Sequence, residues 1–313
     1  MTDAWTAGPS LPMRAVSLAL PALRYKPIMR SEERTRRDIA RSTVARPAAP
    51  STANRREFRV RNERFGAIGC LVIEPRSGPA SARSLIWLHG GGFIHRFERA
   101  HWWLTTSLVR ELGMRVIAPD YPLAPLGTAS TALEQLADVL EAVAATDDAA
   151  PVLGGDSAGG GLALSLTLVT PGRLRPAHLV LVAPWLDVTL AHPEVPLFEA
   201  RDPSLAALGL RIAGRLWAGD LGPRDPRVSP AFAEDYSVLP ATSLIVGTRD
   251  LLYPDARDFA ASARAQGADI ATFTASDGFH VFPAASRLPE ARAARRWLAQ
   301  RLAATGSCSA RST

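Results

Sequence analysis

Gly155-Asp156-Ser157-Ala158-Gly159 is the stretch on which the reading of this chain turns. It follows a short strand-like run at 151–154 and opens a run of helical period at 162–169. A serine placed between strand and helix sits on a sharp turn. Its backbone is strained there and its hydroxyl stands exposed, and the flanking glycines leave room for the turn. The helix N-terminus behind it favours developing negative charge. Gly/Ser-rich turns are common, however, so the weight of the motif depends on its surroundings.

Working outward toward the N-terminus, the next signal is His89-Gly90-Gly91-Gly92-Phe93, directly after the apolar run 85–88. Three consecutive glycines are conformationally costly. They make sense where backbone amides must approach a ligand closely, as they must when a tetrahedral intermediate carries an oxyanion. Gly91, Gly92 and Ala158 are the natural amide donors. The bland alternative is a flexible loop, and a second, independent hydrolase signal downstream disfavours it.

Working outward toward the C-terminus, a nucleophile needs a base, and the base needs a group to orient it. Of the six histidines, only His280 lies beyond the last strand-like run, in Gly278-Phe279-His280-Val281-Phe282-Pro283. That is where the base falls in a Ser…Asp/Glu…His chain order. The acid is expected at the exit of the preceding strand, Leu244-Ile245-Val246-Gly247. Asp250 stands there. Asp255 is the alternative, unless it caps the helix that starts near Ala256. The catalytic candidates are therefore Ser157, Asp250 and His280. Asp156 and Asp187 read as residues that hydrogen-bond the loops carrying the site. Phe93, Trp102 and Trp103 are candidates for lining a substrate pocket, although aromatic residues in a helix also serve as core.

Strand-like runs at 57–60, 67–74, 85–88, 115–118, 152–153, 179–183, 244–246 and 270–273 alternate with helix-period runs at 102–111, 131–145, 158–168, 256–266 and 289–304. The first two strands read as an antiparallel opening pair. The rest imply a mostly parallel eight-stranded sheet covered on both faces. Residues 1–54 carry no strand signal and are expected to form two short cap helices and a linker near 46–54. The catalytic domain is expected over 55–305, with a second cap segment inserted at about 187–239 that holds a helix at 205–218, and a disordered tail at 306–313.

Composition narrows the classes. Nearly half of the 313 residues are hydrophobic, enough for a large α/β core. The net charge of +6 and pI of about 10.1 would suit nucleic acid or an anionic surface. Yet the positive charge is nearly all arginine, with Lys26 the one lysine, and it is dispersed. Its densest run, at 30–41, is broken by Glu32, Glu33 and Asp38, as on a solvated helix face. Two cysteines, Cys70 and Cys308, fit a reducing cytoplasm better than a structural disulfide. The apolar stretch 15–23 after Arg14 has the look of a signal core, but Pro21 interrupts it and it reads instead as a short amphipathic lid helix. No run reaches the roughly 18–20 apolar residues of a membrane span.

Taken together, these motifs resemble the bacterial hormone-sensitive-lipase-like esterases of the α/β-hydrolase fold. The shared elements are His89 to Phe93, Asp120-Tyr121 with Leu123-Ala124-Pro125, Gly155 to Gly160, Pro184-Trp185-Leu186-Asp187, Asp250-Leu251-Leu252 and Phe279-His280, in family order. The resemblance implies a carboxylesterase acting on short or medium acyl esters. It implies no cofactor and no metal, a helical lid, and an oxyanion hole at Gly91, Gly92 and Ala158. A small-molecule ester is the expected partner. Nucleic acid and stable membrane insertion are not, and a homodimer is allowed. Pro122 and Leu126-Gly127-Thr128 depart from the usual pattern and resemble the branch that holds steryl-acetate and lactone hydrolases. The departure bears on the substrate and leaves the triad untouched. A non-catalytic small-molecule receptor on the same fold is the competing class.

Overall fold

A run that is apolar at every position, such as Leu85-Ile86-Trp87-Leu88, has no polar face to offer water, so it forms a strand covered on both sides. The computed structural model describes residues 2–5, 8–23 and 25–309. Its strands are β1 (Thr2–Trp5), β2 (Phe58–Phe65), β3 (Ile68–Pro75), β4 (Leu85–Leu88), β5 (Val116–Pro119), β6 (Val152–Asp156), β7 (His178–Val182), β8 (Thr242–Gly247) and β9 (Ile270–Ala275). They form one sheet of order β1-β9-β8-β7-β6-β4-β5-β3-β2. β2 runs antiparallel to β3, and β3 to β5, while every other pair is parallel. The α/β-hydrolase architecture is as expected, but the sheet has a ninth strand among the described residues. Residues 1–54 were expected to carry no strand, whereas β1 pairs with β9, Thr2 opposite Thr272. Pairing at an open edge uses backbone groups alone, so a segment without an apolar pattern can still add there.

The helices are α1 (Leu11–Ala19), α2 (Tyr25–Met29), α3 (Glu32–Ser42), α4 (Thr52–Glu57), α5 (Arg99–Leu112), α6 (Ala129–Thr146), α7 (Ala158–Val169), α8 (Val195–Arg201), α9 (Ala207–Ala218), α10 (Tyr253–Ala265) and α11 (Pro289–Ser309). Successive strand side chains point to opposite faces. Ile86 and Leu88 accordingly join a core with α6, α7 and α10, while Leu85 and Trp87 join a second core with α5 and α11. The expected tail at 306–313 is, through Ser309, the end of α11. Residues 310–313 lie outside the described residues.

Two segments form the cap. The insertion contains α9, close to the helix expected at 205–218, and also the seven-residue α8, too short to show a period. Among its described residues the N-terminal segment holds four short α-helices rather than two. The expected linker at 46–54 runs into α4, which begins where the Ser51 hydroxyl accepts from the amide of Asn54 at 3.1 Å. The two segments meet closely: a Cβ on Gly209 of α9 would stand 2.8 Å from the Cα of Met29 on α2.

The parallel topology aligns the strand ends that matter. β4 and β6 are neighbours, so the glycine loop leaving β4 lies beside the turn leaving β6. β8 and β9 end at the same edge and carry Asp250 and His280 on their exits.

Candidate active site

One residue, Ser157, separates β6 from α7, and it adopts φ 52° and ψ −121°. This is unfavourable for a residue with a Cβ and persists because the surroundings fix it. The Ser157 amide donates to the carbonyl of Val182 at 2.9 Å, and its own carbonyl accepts from Gly161 and Trp185. The second glycine of the motif is required by contact: a Cβ on Gly159 would lie 2.0 Å from the carbonyl oxygen of Leu88. The serine is buried at its turn and lines a cleft.

The loop after β4 supplies the amides opposite. Gly91 has φ 114°, a region that side chains rarely enter. Among the described residues, the N–H groups of Gly91, Gly92 and Ala158 have no acceptor. Asp156 anchors this loop, as expected. Its carboxylate accepts from Trp87 Nε1 at 2.9 Å and from the amide of Gly90 at 3.2 Å, and His101 Nε2 lies 3.6 Å away. Burial pushes this carboxyl up, but the neighbouring His101 ring and the hydrogen bond from Trp87 outweigh burial and hold it below the usual range. The His89 ring is buried and stacks on Tyr121, with centroids 4.6 Å apart. Burial pushes its imidazole down to about 3, so it stays neutral, donating from Nδ1 to the carbonyl of Gly90 at 2.7 Å.

His280 meets both expected partners. Its Nδ1 lies 2.8 Å from Asp250 Oδ2 and its Nε2 lies 2.9 Å from Ser157 Oγ. The carboxylate holds the proton on Nδ1, which leaves Nε2 free to accept from the serine hydroxyl. Burial pushes the imidazole pKa down, but the charge and hydrogen bond of Asp250 outweigh it, and the net shift is upward. The loop that carries Asp250 is tied by Asp202, whose Oδ2 accepts from the amide of Leu251 at 2.8 Å. Asp202 stands in a Pro- and Arg-containing loop of the insertion, where nothing in the sequence distinguishes it from a surface charge.

Asp255 is not on the imidazole. It occupies the first turn of α10 and lines a separate cavity with Asp187 and His192. Nor does it make the expected cap, since its Oδ2 has no hydrogen-bond partner among the described residues. Burial first, then the charge of Asp187, pushes its pKa up to about 7. Asp187 holds its own loop, accepting from the amides of Thr189 at 2.7 Å and Ala191 at 3.0 Å.

The cleft over Ser157 has a volume of about 350 Å³. Of the three aromatic candidates, Trp103 lines it. Phe93 and Trp102 do not, which corrects that expectation. Phe93 is stacked between Trp185 and Trp217, with centroids 5.4 and 4.2 Å away. Trp102 is buried against Phe97 and donates to the carbonyl of Ala48 at 2.7 Å. Adjacent positions on a helix point about 100° apart, so of the Trp102–Trp103 pair one faces the core and the other the cleft. Sequence reasoning missed the cap residues in this wall: Val16 and Leu20 on one side, Tyr25 and Leu210 on the other. Among the described residues there is no cluster able to hold a metal and no helix long and apolar enough to cross a membrane.

Comparison with known proteins places the fold in a family. Residues 85–284 match the alpha/beta hydrolase fold family. An esterase of Acinetobacter venetianus is 36% identical over 197 residues, which cover 61% of this chain and 64% of that protein. An acetyl-hydrolase of Streptomyces hygroscopicus is 30% identical, with 68% of this chain and 72% of that protein covered. Among solved structures, a hormone-sensitive lipase from a metagenome library superposes with a TM-score of 0.78 at 23% identity, over 96% of this chain and all of that one. An esterase from the bacterial hormone-sensitive lipase family superposes with a TM-score of 0.71 at 24% identity, over 88% of this chain and 97% of that one. The resemblance drawn from the motifs is borne out, and the chain belongs to the alpha/beta hydrolase fold family.

Proposed function

We propose that the protein hydrolyses carboxylic esters of short to medium acyl chains through an acyl-enzyme formed on Ser157. The observation that carries this reading is the continuous line from Asp250 to His280 to Ser157, at 2.8 and 2.9 Å, beside a glycine loop and helix start whose Gly91, Gly92 and Ala158 amides have no acceptor among the described residues. In the first half-reaction Ser157 Oγ bonds to the ester carbonyl carbon while its proton passes to His280 Nε2. The carbonyl oxygen becomes an oxyanion within reach of the three amides. The carbon–oxygen bond to the alcohol then breaks, and His280 returns the proton to the departing oxygen. Water repeats the sequence on the acyl-enzyme and restores the serine. Asp250 keeps the tautomer and supports the imidazolium. No cofactor enters this scheme. The small-molecule ester is the partner, and the setting is cytoplasmic.

Short chains suit a cleft of about 350 Å³ whose lining includes Val16, Leu20 and Trp103. The similarity to an acetyl-hydrolase favours acetylated alcohols as a second substrate reading. A fluorophosphonate should label Ser157, and a series of p-nitrophenyl esters should peak at or below C8. Absence of label with no turnover would leave the fold serving as a receptor. A maximum at C12 or beyond would point to a lipase.

A further inference from the structure

Three side chains beside the cleft make contacts that the acyl transfer does not use. Tyr25, on α2, lines the same cavity as Ser157 and His280. Its hydroxyl lies 3.4 Å from His95 Nδ1, and His95 Nε2 lies 2.9 Å from Asp38 Oδ2 on α3. The His95 amide donates to the carbonyl of Gly91 at 2.9 Å, which fixes the imidazole to the glycine turn. The His95 side chain is 12% exposed and that of Asp38 28%. A packed core would meet this place with apolar groups, whereas among the described residues the Tyr25 hydroxyl has one partner, the His95 ring nitrogen at 3.4 Å.

The proton inventory says what such a hydroxyl can bind. With Nε2–H donated to Asp38, Nδ1 accepts from Tyr25 and the phenol oxygen keeps a lone pair toward the cleft. With the imidazole doubly protonated, Nδ1–H donates to Tyr25, whose own proton turns to the cleft. A ligand hydroxyl answers both states, since it can donate or accept. An alkyl group answers neither and leaves the phenol unpaired. An anionic ligand is opposed by Asp38 and by Glu98, which also lines the cleft. The departing alcohol oxygen must come within reach of His280 Nε2, which returns its proton. His95 is tied to Gly91 of the glycine turn and Tyr25 lines the same cleft, so an acyl arm running along that side would meet the phenol.

We propose that Tyr25, oriented by His95 and Asp38, is a specificity-determining residue that selects esters bearing a hydroxyl on the acyl chain. The inference rests on the esterase reading and deepens it. The test compares p-nitrophenyl butyrate with p-nitrophenyl 3-hydroxybutyrate in the full chain. Wild type should favour the hydroxy ester, and Tyr25→Phe should lower the ratio of the two kcat/KM values by about fivefold, the scale of one hydrogen bond. The loss should fall in KM, since a remote contact binds ground and transition states alike. His95→Gln, which keeps an acceptor for the phenol, should retain most of the ratio, and His95→Leu should lose it. Equal losses on both esters would make Tyr25 a packing residue and overturn the inference. So would butyrate turnover with the same ratio in every variant. If wild type cleaves neither ester, the esterase reading fails first and the inference falls with it.

Discussion

The backbone of Ser157 is held at a strained turn because β6, α7 and the carbonyls around it leave no other path. Its proposed role makes a sharp demand on Ser157→Ala. Ester turnover should drop to the residue of catalysis left by oxyanion binding, about 10³–10⁴ over water in other triads, with the melting temperature nearly unchanged. Turnover near wild type would remove Ser157 from the mechanism. For Asp250→Asn, the Nδ1 proton loses its carboxylate and kcat should fall by roughly 10⁴. The same pair sets the pH response. In the proposed mechanism His280 accepts a proton and must therefore be neutral, and Asp250 raises its pKa above 6.5. Activity should therefore be present above that raised pKa and be lost as pH falls through it. A kcat/KM profile measured from pH 4 to 9 would show the acid limb above 6.5, and a limb well below it would contradict the coupling.

Among the elements, the strand-to-helix turn and the glycine loop were legible from sequence because their demands are local. A serine between a strand run and a helix run, and three glycines after an apolar strand, leave few alternatives. The cap was legible only in outline. Its helices are short, and their packing surface is decided by contact between segments nearly 180 residues apart. Gly209 shows this. It looks like an ordinary weak point in a helix, yet a Cβ there would meet Met29 of α2 at 2.8 Å. Gly209→Ala should push α9 off α2, costing about 1–3 kcal/mol as overpacking does. The cleft wall is shared by Tyr25 and Leu210, so kcat/KM should fall with it. A drop in melting temperature without change in kcat/KM would mean that the two cap segments do not shape the cleft together.

For the whole molecule, the informative group is Asp255. Burial pushes its pKa up to about 7 in the fold, from an ordinary value of 3.8. Between those values the folded state holds a proton that the unfolded state has released, so stability falls as pH rises from about 4 to about 7. The scale is at most about 4 kcal/mol at 1.36 kcal/mol per pH unit. Asp255→Asn removes the charge and should raise the melting temperature at pH 8 but not at pH 4, leaving ester turnover close to wild type. Denaturation at the two pH values checks it. A variant inactive at both would move Asp255 into the catalytic chemistry after all.

By itself the sequence determined the class of fold, the order of the chemistry-bearing residues and the positions of Ser157 and His280. These depend on alternating apolar runs, tight turns and chain order, which are local properties. Only the tertiary structure decided between Asp250 and Asp255, because both leave the same strand end and the choice lies in where two side chains a few residues apart point. It also decided that Trp103 and not Trp102 or Phe93 lines the cleft, that residues 2–5 add a strand beside β9, and that Tyr25, Asp38 and His95 stand together. Each of these outcomes is a contact between parts of the chain far apart in sequence, and periodicity carries no record of which distant surfaces will meet.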